Sequence, residues 1–142
     1  MRLFLDSSAL AKRYIQEPGT ETVLSRCREA QDVFLSVLCV PVLISGFNRL
    51  KRERKISRSQ YRLLKRRLAA DMEQASVVGL TPSVLGRTIS CLERTPLKTL
   101  DALHIAAALE SPCDLFLTAD RRQHGAAVRL RLKAEVVGEP IH

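Results

Sequence analysis

Three aspartates in this chain stand where an open parallel sheet collects functional groups. Asp6 ends the apolar run Leu3-Phe4-Leu5 and is followed by Ser7 and Ser8. Asp101 lies two residues after Thr99, in the first turn of a helical pattern. Asp120 follows the apolar stretch Leu115 to Thr118 by two residues. Each has a plain structural reading. Ser7 or Ser8 is good helix-capping chemistry, Asp101 suits a helix dipole, and Asp120 pairs with Arg121 or begins a helix. If the three meet, the reading changes. Crowded carboxylates repel unless a cation lies between them. Hard oxygen ligands suit Mg²⁺ or Mn²⁺, and such a site can activate water and stabilise charge on a phosphodiester.

Other chemistry is less well signalled. His104 lies three residues beyond Asp101 on roughly the same helix face. A general-base role is open to it, although a packed core histidine is the commoner outcome. His124 and His142 add nothing further. An aspartyl-phosphate enzyme usually wants a second acid two residues after the first, and Ser8 stands there instead. No glycine-rich or Walker nucleotide-binding motif occurs.

The elements that position these acids alternate. Strands are predicted over Leu3 to Leu5, Val33 to Leu35, Ser76 to Val78, Asp114 to Thr118 and Glu135 to Val137. Helices are predicted over Ser8 to Ile15, from Gly19 or Thr20, from near Val40 to Arg54, from the Ser57 capping box to Glu73, from Thr81-Pro82 to Arg94, from a Thr99 cap to Leu109, and over Ala119 to Val128. Such alternation implies a parallel sheet covered by helices on both faces. Parallel strands bring Asp6 and Asp120 to the same sheet edge.

The 142 residues suit one domain, residues 1–142, and 46% hydrophobic content supports a core, made aliphatic by the absence of tryptophan. No apolar run reaches the ~18 residues of a membrane span. Asp6, Lys12 and Arg13 interrupt any signal-peptide pattern, so a cytoplasmic location is expected. Cys27, Cys39, Cys91 and Cys113 form no C-x-x-C pair and read as reduced thiols.

The formal net charge is +8, and its placement matters more than its size. Arg49 to Arg67 carries ten Lys/Arg and the single acid Glu53, a net +9 that leaves the remainder at −1. Two basic helices in succession read as a helical hairpin. Arg49, Arg52, Arg58, Arg62 and Arg66 are its candidate contacts to RNA or to an acidic protein partner, against the plainer reading of a solvated face.

With these residues in view, the chain resembles PIN domains, in particular VapC-type toxins of toxin–antitoxin pairs. Leu3-Phe4-Leu5-Asp6-Ser7-Ser8-Ala9-Leu10 is similar to their opening motif. Thr99 to Ala108 is similar to their central acidic helix start, and Phe116 to Arg122 to their last acidic motif. The resemblance implies a three-layer α/β/α sandwich with about five parallel strands and a Mg²⁺- or Mn²⁺-dependent endoribonuclease. It also implies a cognate VapB-type antitoxin and a homodimer. It makes Asp6 and Asp101 metal ligands, Asp120 a ligand directly or through water, and Ser7 and Thr118 polar support. In one respect the chain departs from the pattern: Val42 stands where the family usually has a glutamate. Glu53, eleven residues on, is roughly 16 Å away along the same helix. A site of three acids implies weakened metal binding, so a catalytically silent module acting through antitoxin or RNA binding is the alternative.

Overall fold

Leu3, Phe4 and Leu5 are wholly buried because their strand is the middle one of the sheet. The computed structural model describes residues 1–138, and His142 lies outside them. In chain order the elements are β1 (Arg2–Leu5), α1 (Ser7–Ala11), α2 (Thr20–Glu29), β2 (Asp32–Ser36), α3 (Cys39–Arg52) and α4 (Arg58–Gln74). Then follow β3 (Ser76–Val78), α5 (Pro82–Arg94), α6 (Thr99–Glu110), β4 (Leu115–Thr118), α7 (Arg121–Arg129) and β5 (Ala134–Val136). The strands pair in the order β3-β2-β1-β4-β5, every pair parallel.

Side chains alternate between the two faces of a strand, and the sequence of β1 uses both. Leu3 and Leu5 join Leu35, Leu117 and residues of α1 to α4, among them Leu10, Phe47 and Leu68. Phe4 points the other way and meets Ile105 of α6 and Ala127 of α7. Its ring stacks on that of Phe116, its register partner in β4, with centroids 5.7 Å apart. The result is the three-layer α/β/α arrangement with five parallel strands.

Local signals account for several boundaries. Ser57 and Gln60 form a reciprocal capping box at the start of α4. Thr81 caps α5 by accepting from the Val84 N–H, with Pro82 at the first helical position. Pro41 sits in the first turn of α3, where its missing N–H costs no helical bond.

Three expectations need correction. The first helix ends at Ala11 rather than Ile15, giving way to turns. The cap residue of α6 is Lys98, and Thr99 lies inside the helix without capping it. The last strand is shifted one residue, to Ala134–Val136.

The α3–α4 hairpin forms as expected and is fastened to the body by α4. Asp71 receives the Tyr14 hydroxyl at 2.6 Å and both arms of the Arg13 guanidinium at 3.1 and 3.2 Å. Tyr14 meets the Phe47 ring edge-on at 5.6 Å between centroids. Burial and the Asp71 carboxylate push the Tyr14 phenol well above its ordinary range. No helix is long and apolar enough to cross a membrane among the described residues.

Candidate functional site

β1 and β4 are neighbours, so the residues that follow them meet at the carboxyl edge of the sheet. The Asp6 N–H donates to the Leu117 carbonyl at 3.1 Å, which extends the β1–β4 ladder into the site. Asp6 is 3% exposed, and hydrogen bonds hold both oxygens of its carboxylate. Oδ1 accepts from the Ala9 N–H at 2.9 Å and from the Ser8 hydroxyl at 2.7 Å. Oδ2 accepts from the Thr118 hydroxyl at 2.5 Å. The two hydroxyls then accept in turn: Ser8 from the Ala119 N–H at 2.9 Å, and Thr118 from the Asp120 N–H at 3.1 Å. Asp6 is therefore both the cap of α1 and the anchor of the β4–α7 turn.

Asp120 caps α7, its Oδ1 accepting from the N–H groups of Arg122 at 2.8 Å and Gln123 at 3.4 Å. Asp101 lies in the first turn of α6 and is half-buried. Gln123 ties the two helices together: buried in α7, it donates from Nε2 to the Asp101 carbonyl at 3.1 Å.

The electrostatics show that the three acids share one environment. Burial raises the Asp101 carboxyl above the ordinary range, and Asp120 and then Asp6 add to the rise, opposed by His104 and Arg122. Burial also raises Asp6, against the hydrogen bonds from Ser8, Thr118 and Ala9, with Asp120 contributing to the rise. His104 is 1% exposed, and burial lowers it to about 4 despite the pull of Asp101. Its ring is thus neutral at physiological pH. Neither ring nitrogen has a hydrogen-bond partner among the described residues. This placement is that of a core histidine.

Of the expected supporting residues, Thr118 holds Asp6 directly. The serine that does so is Ser8 rather than Ser7. Ser8 stands two residues after Asp6, a spacing at which side chain and backbone bond locally in turns; that signal was available in the sequence. Cys39, at the start of α3, was not foreseen beside the site. Its thiol is pushed up to about 12 by burial and then by Asp6, so the first turn of α3 adjoins Asp6. Val42, one turn further, is half-buried and belongs to neither core cluster. Glu53 lies at the far end of α3, paired with Lys55 at 3.2 Å, and contributes nothing here.

Does this donor set fit a divalent cation? In kind it does: three carboxylates in mutual repulsion form a hard-oxygen, negatively charged environment. In arrangement it stops short of a finished cage. Among the described residues no three His, Cys, Asp or Glu side chains converge as a metal-binding group. Asp6 already spends both oxygens on protein donors, and the side chain at position 42 offers no oxygen.

The hairpin cations divide into two groups. Lys51 lies over the Tyr61 ring at 4.2 Å and Lys65 at 5.7 Å, while Arg67 lies over Tyr14 and donates to the Arg13 carbonyl. Arg49, Arg52, Arg58, Arg62 and Arg66 are exposed and form no salt bridge among the described residues.

A family model described as "PIN domain" matches residues 3–128. The chain belongs to the PIN-domain family. Its structural neighbours include VapC and FitB toxins of toxin–antitoxin complexes. FitAcB from Neisseria gonorrhoeae is 17% identical with a TM-score of 0.69, over 93% of this chain and 95% of that one. VapBC2 from Rickettsia felis, bound to a DNA fragment from its promoter, is 11% identical with a TM-score of 0.69, over 96% and 99%. VapC20 from Mycobacterium tuberculosis, described as a Sarcin-Ricin loop cleaving toxin, is 15% identical with a TM-score of 0.65, over 87% and 94%. At these identities the likeness is one of fold. No curated protein sequence matches the chain.

Proposed function

We propose that this PIN domain is a divalent-metal-dependent endoribonuclease toxin held in check by a cognate VapB-type antitoxin. The observation that carries the reading is that Thr118 joins Asp6 to the Asp120 N–H at the carboxyl edge of the sheet, while Gln123 ties the Asp101 backbone to α7 and Asp101 is raised by burial and then by Asp120 and Asp6. Asp101 and Asp120, with Asp6 behind them, would hold Mg²⁺ or Mn²⁺. Bound by these carboxylates, the ion supplies Lewis acidity for phosphodiester hydrolysis. Ser8 and Thr118 keep Asp6 aimed and ionisable inside the fold. Gln123 keeps the first turn of α6 against α7. The exposed hairpin arginines Arg49, Arg52, Arg58, Arg62 and Arg66 supply a surface for RNA phosphates or for an acidic antitoxin segment.

A homodimer belongs to the same reading, supported by exposed Leu85, Ile89 and Leu92, which recur at helical spacing along α5. A cytoplasmic location does too, supported by four free cysteines.

Val42 and the unfinished cage favour a second reading, a silent PIN module that binds antitoxin or RNA without cutting. Cleavage of single-stranded RNA with Mn²⁺ separates them. The nuclease reading requires cleavage by the chain and its loss in Asp101→Asn. Equal, background-level products from both proteins would leave the silent module standing.

A further inference from the structure

Lys98, Arg122 and Arg129 come together on the wall of one cavity of about 280 Å³, between the start of α6 and one side of α7. Asp101 lines the same cavity, so it opens directly beside the acidic pocket. Arg122 and Arg129 are seven residues apart, two helical turns, and so share a face of α7. Lys98 comes from the cap position of α6, which has no side-chain cap. None of the three cations forms a salt bridge among the described residues. Gly125 lies between the two arginines, and a Cβ added there would meet nothing within 4 Å. A glycine inside a helix is unfavourable by ~1 kcal/mol relative to alanine, and packing does not require this one. What its missing side chain leaves open is the cavity.

The volume is just below that of ordinary ligand sites, which begin at roughly 300 Å³. It suits one phosphate with its sugar rather than a stacked oligonucleotide. Three cations around a partly apolar floor that includes Leu97 match that chemistry. A phosphodiester strand is the polyanion whose cleavage the carboxylates of Asp101, Asp120 and Asp6 could serve.

We propose that this cleft is a phosphate subsite for single-stranded RNA, in which Lys98, Arg122 and Arg129 grip the phosphodiester next to the one lying at Asp101. The assignment rests on the ribonuclease reading for its substrate, but its test does not require cleavage. Binding of labelled oligouridine is followed by fluorescence anisotropy in EDTA across a salt series. The double variant Lys98→Gln/Arg129→Gln should bind about tenfold more weakly, and its slope of log K against log salt should fall by about 1.4, since each single-strand phosphate contact contributes about 0.7. Gly125→Leu fills the cavity without changing charge and should weaken binding as well. Circular dichroism and melting temperature check that both variants remain folded. The hairpin variant Arg58→Gln/Arg62→Gln/Arg66→Gln is the comparison.

Unchanged affinity and slope in the double variant overturn the subsite, as does absence of RNA binding by the unaltered chain. Binding of polyglutamate that the double variant abolishes, with RNA binding untouched, also overturns it in favour of an acidic protein partner. Cleavage with Mn²⁺ is read separately. Cleft-dependent binding without cleavage keeps the subsite and removes the nuclease. Cleavage with KM unchanged in the cleft variants does the reverse.

Discussion

Thr118 donates its hydroxyl to Asp6 Oδ2 across two adjacent strands, joining residues 112 positions apart in the chain. The same hydroxyl accepts from the Asp120 N–H. One small side chain therefore holds one acid and sets the start of the turn that carries another. Thr118→Val keeps the shape and removes both roles. It leaves a buried carboxylate oxygen without this donor, a loss of about 1–3 kcal/mol. Urea unfolding should show that loss, and Thr118→Ser should recover most of it. A valine variant as stable as the parent would mean that this bond contributes nothing net.

The two neighbouring serines should behave differently. Ser8→Ala removes a donor to Asp6 and an acceptor for the Ala119 N–H, so a loss of about 1–2 kcal/mol is expected. Ser7→Ala should stay within about 0.5 kcal/mol of the parent. Melting temperatures of the pair, measured side by side, decide between the serine that the family resemblance indicates and the one that the hydrogen bonds indicate.

His104 makes stability depend on pH in a known direction. Its value in the folded chain is about 4, below its ordinary 6.5. The unfolded chain therefore binds the proton more readily. The stability associated with a neutral His104 is fully present above about pH 6.5 and is lost as pH falls towards 4, by a total of ~3 kcal/mol. Asp101, the acid facing it, has a raised value and works in the opposite sense, so the difference between parent and His104→Leu isolates the histidine. Denaturant midpoints between pH 7 and pH 4 should fall less steeply in the variant. Parallel profiles would show that the ring does not titrate as described.

Position 42 can be tested without any nuclease assay. Val42→Glu adds a carboxylate to α3, whose first turn adjoins Asp6, so the metal-free protein should lose about 1 kcal/mol at neutral pH. In Mn²⁺ the order should reverse. A tenfold tighter site adds about 1.4 kcal/mol of stabilisation at saturating metal. Thermal shift with and without millimolar Mn²⁺ reads both effects. Equal shifts for the two proteins would mean that residue 42 does not face the metal-binding carboxylates.

Much of the fold was legible because its signals are local. The Leu3-Phe4-Leu5 run, the Ser57–Gln60 box and Thr81-Pro82 each act within a few residues, and each forms the expected element. The acids were legible as positions at strand and helix ends. What failed to show was the direction of side chains across the chain. Asp6 caps its own helix, a role given to Ser7 or Ser8 on composition alone. Lys98 took the cap position expected of Thr99, leaving the first turn of α6 without a side-chain cap. Charge counting treated the hairpin as uniform, whereas Lys51 and Arg67 lie against tyrosine rings of other segments, Tyr61 and Tyr14, and Lys65 lies over Tyr61 one turn before it in α4. The α6–α7 cleft was invisible for the same reason: Lys98 and Arg129 are 31 residues apart and meet only after both helices dock on the sheet.

The pairing of β1 with β4 has a consequence for when the pocket comes into being. During synthesis β1 and Asp6 are made before β2, which can pair with one side of that strand soon afterwards. Its other side waits for β4, and contacts of such long sequence separation form slowly. A nascent chain that stops short of β4 holds Asp6 and Ser8 with neither Thr118 nor Asp120 beside them. Whatever the pocket does, it begins to do it only after β4 has been made and has paired with β1.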